Sequence, residues 1–395
     1  MPLPIFAAMG VGAAIVTAYQ YFSDDKPSGT QTNTKRKLDR AKEKELDFLL
    51  KLATAAAHAD GVLCDDEKKV IENFIDNTQR AYSECHFIEN HKMDEPCTME
   101  ELHARWEVIN DSKNQSWHEM VRDVIDADKH HTPCEKAFLY RCNLMFEGLP
   151  DQKLFMITDD KSKVSTLSLE YLNDGILPTG YVINRVIQNE FLVAHPALTK
   201  AEVKELIPIS EFFDDSFLTN QDTELVNAAR IAGAKKVTIY SDSRRAESIS
   251  TEFEMDGNIR GNIVDGSLKA NVKASNVYSS ADKKVIIYEF EGSESSFFKK
   301  MKNRLNSPEK SILKQSAWLQ NDADLTEFVR SCFSDNKIRY FRKEISTESQ
   351  RNIIFSAQVA SRCKLVKVST EVDATLDKKA KIFEASEKMY EVKFD

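Results

Sequence analysis

Four carboxylates stand in a repeated pattern. Asp60 and Glu67 bracket the stretch Asp60-Gly61-Val62-Leu63-Cys64-Asp65-Asp66-Glu67, and 68 residues later Asp128 and Glu135 bracket Asp128-Lys129-His130-His131-Thr132-Pro133-Cys134-Glu135. Carboxylate oxygens are ligands for hard divalent cations. Four of them brought to one end of a helical bundle would hold a calcium or magnesium ion. The same side chains also have a structural use. Cys64 and Thr132 each precede a Glu by three positions, the spacing at which an N-cap side chain and a carboxylate satisfy each other's backbone N–H groups. Pro133 suits the first position of a helix, and Asp60 and Asp128 then end the helices before the loops.

Other candidates for chemistry are fewer. His58, His86, His91, His103, His118, His130 and His131 crowd into the same part of the chain as Cys64, Cys85, Cys97, Cys134 and Cys142. They include no C-x-x-C or H-E-x-x-H pair, so the spacing supports no zinc site, and buried thiols with an exposed His130-His131 pair explain them. Beyond residue 150 there is no G-x-G-x-x-G, Walker loop or G-x-S-x-G elbow. His195 is the sole histidine there, which leaves a serine or cysteine nucleophile in the rest of the chain without a base. Arg244 and Arg245 follow a strand pattern from Lys236 to Tyr240 and are candidates to bind an anion such as phosphate.

The carboxylates need elements to position them. Leu46, Leu49, Leu50, Ala53 and Ala57 recur at helical steps before the first loop, and Val70, Ile71, Phe74 and Ile75 after it. Trp117, Met120, Val121, Val124 and Ile125, then Phe138, Cys142, Met145 and Leu149, do the same around the second. Two helix–loop–helix copies predict an all-α domain over residues 40–150. An Ala-Asp-Gly loop leading into an acidic helix start, used twice, resembles the TerB-like modules of tellurite-resistance proteins. The arrangement is also similar to a membrane-anchored DnaJ-type co-chaperone family. The TerB-like resemblance implies an acidic, metal-linked surface on Asp60, Glu67, Asp128 and Glu135, a protein partner, and a role in prokaryotic stress response or defence. Three positions depart from these patterns. Lys129 stands where the second loop should have glycine, Cys64 stands where the first should have a hydroxyl, and His195-Pro196-Ala197 lacks the aspartate of a J-domain loop.

The flanks of this domain read differently. Residues 2–22 are apolar apart from Gln20 and a few small polar positions, long enough to cross a bilayer as a helix. Lys35, Arg36, Lys37, Arg40, Lys42 and Lys44 follow that run and no basic residue precedes it. The expected topology is therefore a transmembrane anchor over 1–22, single-pass in the inner membrane, with the bulk of the chain cytoplasmic. The odd cysteine count suits reduced thiols, and small residues four apart (Ala8 and Gly12, Gly10 and Ala14) suit a homo-oligomer of such helices. Residues 23–39 read as a linker and 151–233 as a connecting helical region. Over 234–395 an α+β domain with an antiparallel sheet is expected, with Asp256-Gly257 and Asp265-Gly266 as hairpin turns.

A net charge of -9, with 42% hydrophobic and 30% charged residues, excludes a basic nucleic-acid coat and a disordered chain. The expectation is a multidomain, membrane-tethered binding or sensing protein acting through protein interaction. The alternative is a metal-dependent hydrolase built on the repeated carboxylates.

Overall fold

Helix α1 (Arg40–Ala57) begins where Asp39 accepts the Lys42 N–H at 2.8 Å, and from Leu46 to Ala57 it is buried almost all round. A helix apolar on every side belongs in the middle of a bundle. In the computed structural model α1 touches each of α2 (Asp65–Ala81), α3 (His86–Glu89), α4 (Met99–Ile109), α5 (Ser116–Ile125) and α6 (Pro133–Phe146). Alanines at 53, 55, 56 and 57 let the neighbours approach closely. Phe48, Trp106, Trp117 and Phe146 pack edge-on or tilted around its middle, with ring centroids 5.1 Å apart for Phe48 and Trp117 and 5.2 Å for Trp106 and Phe146. Each such ring contributes about 2 to 3 kcal/mol by burial.

The structure describes residues 36–109, 116–158, 167–172, 176–183, 187–195, 203–242, 272–274, 278–280, 283–290, 312–313, 316–319, 323–333, 340–345, 348–367, 369, 374, 376 and 388–394. The chain divides into two units, Met1–Ile176 with Arg362–Leu365, and Leu177–Ser361 with Val366–Asp395.

The first unit is not all-α. Strand β1 (Arg36–Lys37) pairs in parallel with β2 (Tyr82–Ser83), at the end of α2, and β3 (Leu154–Ile157) pairs in parallel with β4 (Leu169–Leu172). The helical periodicity of residues 40–150 carries no information about these pairings, because both partners lie far apart in sequence. A second correction concerns the membrane. Among the described residues no helix is long and apolar enough to cross a bilayer. The longest, α1, carries seven charged residues, Arg40, Lys42, Glu43, Lys44, Glu45, Asp47 and Lys51. The single-pass inner-membrane placement is corrected accordingly, and residues 2–22, on which it was based, lie outside the described residues.

In the second unit β7 (Lys204–Pro208) pairs in parallel with β5 (Tyr181–Ile183) and antiparallel with β6 (Phe191–Ala194), then runs through a 3₁₀ turn (Ile209–Phe213) into α7 (Asp215–Ile231). Residues 151–233 therefore carry β3 to β7 before α7, where a connecting helical region was expected. These strands are only three to five residues long, too short for alternation to show against the helical steps around them. Gly233, at φ 92°, turns the chain into β8 (Lys236–Asp242).

A fully antiparallel sheet follows. It places β10 (Tyr278–Ser280), β11 (Lys283–Phe290), β8, β13 (Lys388–Lys393) and β12 (Tyr340–Ile345) in that order, with β9 (Val272–Ala274) also on β11. Alternate residues Val237, Ile239, Tyr288, Tyr390 and Val392 meet Leu225, Val226 and Ala229 of α7 and Leu325, Phe328 and Val329 of α8 (Ala323–Phe333). The proposed hairpin turns at 256–257 and 265–266 lie outside the described residues, as do Arg244 and Arg245.

Candidate functional site

The two acidic loops are copies in three dimensions. α1 ends at Ala57 and α5 at Ile125, while α2 begins at Asp65 and α6 at Pro133, the same 68-residue offset at both ends. The hydrogen bonds follow it bond for bond. Gly61 N–H donates to His58 O at 3.0 Å and Lys129 N–H to Asp126 O at 3.2 Å. Val62 N–H donates to Asp60 Oδ1 at 2.9 Å and His130 N–H to Asp128 Oδ1 at 2.7 Å. Cys64 N–H donates to Glu67 Oε2 at 2.9 Å and Thr132 N–H to Glu135 Oε2 at 2.5 Å, and each Glu N–H returns to its cap side chain. Both capping boxes are complete.

Where the copies differ, physics sets a cost. Gly61 and Lys129 both hold left-handed backbone, at φ 89° and 64°. A side chain there costs about 1 kcal/mol, and a Cβ on Gly61 would meet nothing within 4 Å, so the penalty is purely conformational. Cys64 Sγ accepts at 3.4 Å, a weak cap beside Thr132 Oγ1 at 3.2 Å. Moving each copy toward the better residue of the other should show this by thermal melting. Gly61→Ala is expected to lose about 1 kcal/mol, and Lys129→Gly and Cys64→Thr to gain about 0.5 kcal/mol each.

The carboxylates feel one another. Glu67 is 3% and Glu135 2% exposed, and burial raises both pKa values, Glu67 to about 7. The negative charges of Glu135 and Asp60 add to the rise at Glu67, and those of Asp60 and Asp128 to the rise at Glu135. The pairing of the repeats therefore gathers Asp60, Glu67, Glu135 and Asp128 into one electrostatic neighbourhood. It does not form a cation cage. One oxygen of each of the four is engaged by a backbone N–H, and among the described residues no three His, Cys, Asp or Glu side chains stand as ligands around a common point.

The crowded histidines separate into local structural contacts. His58 bonds Met93 O at 2.9 Å, His91 bonds Thr54 Oγ1 at 2.9 Å, His118 bonds Asn143 Oδ1 at 2.5 Å, and His131 pairs with Asp126 at 2.8 Å. Cys64, Cys85, Cys97, Cys134, Cys142 and Cys363 are free thiols. The sequence did not reveal a polar groove along α1, because charges at helical spacing also mark a solvated face. Their spacing carried the signal: Arg40, Lys44, Asp47, Lys51 and Thr54 recur every three or four residues and so share one face.

Residues 5–141 match the family model described as "Protein of unknown function (DUF533)", which ends inside α6. No curated protein and no solved structure matches the chain.

Proposed function

We propose that the helical unit is a protein-docking module of a prokaryotic stress-response or defence system, working by binding rather than catalysis. Its docking face is the end of the bundle where the two acidic loops meet. The observation that carries this reading is the duplicated acidic loop, with Glu67 and Glu135 buried in the caps, Asp60 and Asp128 half-buried, and Asp65 and Asp66 exposed beside the first copy. Asp65 and Asp66 open α2 beside Val62, which is 65% exposed. An exposed apolar side chain close in sequence to exposed carboxylates suits a partner segment with a basic rim around an apolar contact. The stress or defence setting rests on the resemblance of these loops to TerB-like modules.

The reading is tested by cross-linked capture from cells producing the chain, comparing the native sequence with Asp65→Lys/Asp66→Lys. Neither side chain takes part in the capping contacts of Cys64 and Glu67; the variant gives up the exposed Asp66–Lys69 pair at 2.8 Å and the acidic first turn of α2, and its fold is checked by thermal melting. A partner that is captured by the native chain and lost from the variant is expected. Identical capture by both would remove Asp65 and Asp66 from the interaction and overturn the docking face.

A further inference from the structure

The polar face of α1 forms one wall of a groove of about 550 Å3, and residues 86–97 form the other. That volume lies in the range of small-molecule sites. Its charges do not balance. Lys51 Nζ lies 2.6 Å from both oxygens of Asp47, and Arg105 Nη1 lies 3.3 Å from the same carboxylate, so two cations share one anion. Lys92 is matched by Glu95 at 2.7 Å. At the open end Arg40 and Lys44, one turn apart, line the groove with Glu43 between them, and neither bonds a carboxylate among the described residues. Among the lining residues four cations, Arg40, Lys44, Lys51 and Lys92, face three carboxylates, Glu43, Asp47 and Glu95. The positive end of the α1 dipole lies at the same opening.

We propose that this groove binds a small dianion of the phosphate-monoester class, its charged end on Arg40 and Lys44 and its organic part toward Phe87. A dianion matches the two lining cations, Arg40 and Lys44, that bond no carboxylate among the described residues, and Arg presents a planar fork that matches phosphate oxygens. The floor argues for binding rather than chemistry. Thr54 Oγ1 donates to Leu50 O at 2.9 Å and therefore accepts from His91 Nε2–H at 2.9 Å. The hydroxyl proton is committed to the helix, and the imidazole is not placed to remove it.

The test titrates the full chain with phenyl phosphate, inorganic phosphate and phenol, following the His91 ring resonances by NMR. Phenyl phosphate should give a saturable shift, inorganic phosphate a weaker one and phenol none. Arg40→Ala/Lys44→Ala, both at exposed positions, should weaken phenyl phosphate about tenfold, and Glu43→Gln should tighten it. No saturable shift by about 10 mM overturns the proposal, as does binding that the double variant leaves unchanged or that phenol reproduces.

Discussion

Replacing Asp151 with alanine is expected to destabilise the helical unit by about 3 kcal/mol, more than any loop substitution considered above. Arg141 of α6 is buried, its side chain only 7% exposed, and its guanidinium grips Asp151 by two parallel bonds, Nε to Oδ1 at 2.8 Å and Nη2 to Oδ2. Leu167 O, at 3.4 Å from Nη1, is a weak third acceptor. Removing the carboxylate leaves a buried cation with that one contact, and an unpaired buried charge costs far more than the intact pair contributes. The comparison variant is Arg141→Met with Asp151→Ala, which removes the charge as well. It should recover more than half of the loss in a denaturant midpoint. If the double variant is as unstable as the single one, the cost lies in the shape of the 149–154 connection and not in the stranded guanidinium.

That pair was invisible in the sequence, whereas the acidic loops were legible. The difference lies in range. The capping boxes at Cys64 and Thr132 span three residues, so spacing and residue type alone specify them, and Pro133 at the first helical position strengthens the second. The repeat offset was readable for the same reason, since each copy writes its own helix ends. Lys129 shows the limit. A lysine in place of glycine looked like a broken loop, yet the surrounding bonds hold it in left-handed backbone because the copy's geometry is determined by Asp128 and Thr132 on either side. Long-range features left no such trace. The parallel β1–β2 and β3–β4 pairs and the short strands β5 to β7 are decided by partners outside any local window. The groove along α1 was overlooked because alternating charge on a helix is what a solvated face also shows; only the second wall, residues 86–97, distinguishes the two. The matching places of the four carboxylates in the two loops were readable from the repeat. What the spacing could not supply was how many of their oxygens the loop backbone would already occupy.

Those occupied oxygens set the last prediction, which separates protons from cations at the acidic loops. Glu67 carries a folded-state pKa of about 7 against an ordinary 4.5, chiefly because burial disfavours its charged form and secondarily because Glu135 and Asp60 repel it. A carboxyl whose pKa is raised on folding binds more protons in the folded state than in the unfolded one. Its contribution is greatest below about pH 4.5 and is lost as pH rises toward 7, by about 2 to 3 kcal/mol. Glu135 moves in the same direction. Stability of the helical unit should therefore fall between pH 5 and pH 7.5, against the usual trend of salt-bridged carboxylates. Glu67→Gln keeps the acceptor for the Cys64 N–H and removes the Glu67 titration, so its stability should fall less steeply over that window, with Glu135 and Asp123 supplying the remaining slope, and exceed the native chain's at pH 7.5. A bound calcium or magnesium ion would reverse the sign, because it favours the ionised carboxylates: stability would then rise with pH when metal is added, and Asp60→Asn/Asp128→Asn would abolish the rise. Denaturation midpoints of the native chain and both variants across pH, each with and without the metal, distinguish the two. A metal-dependent gain confined to the native chain would restore the cation site that the bonding pattern argues against. Equal curves with and without metal, and a slope reduced in Glu67→Gln, would leave a proton as the ion these loops exchange.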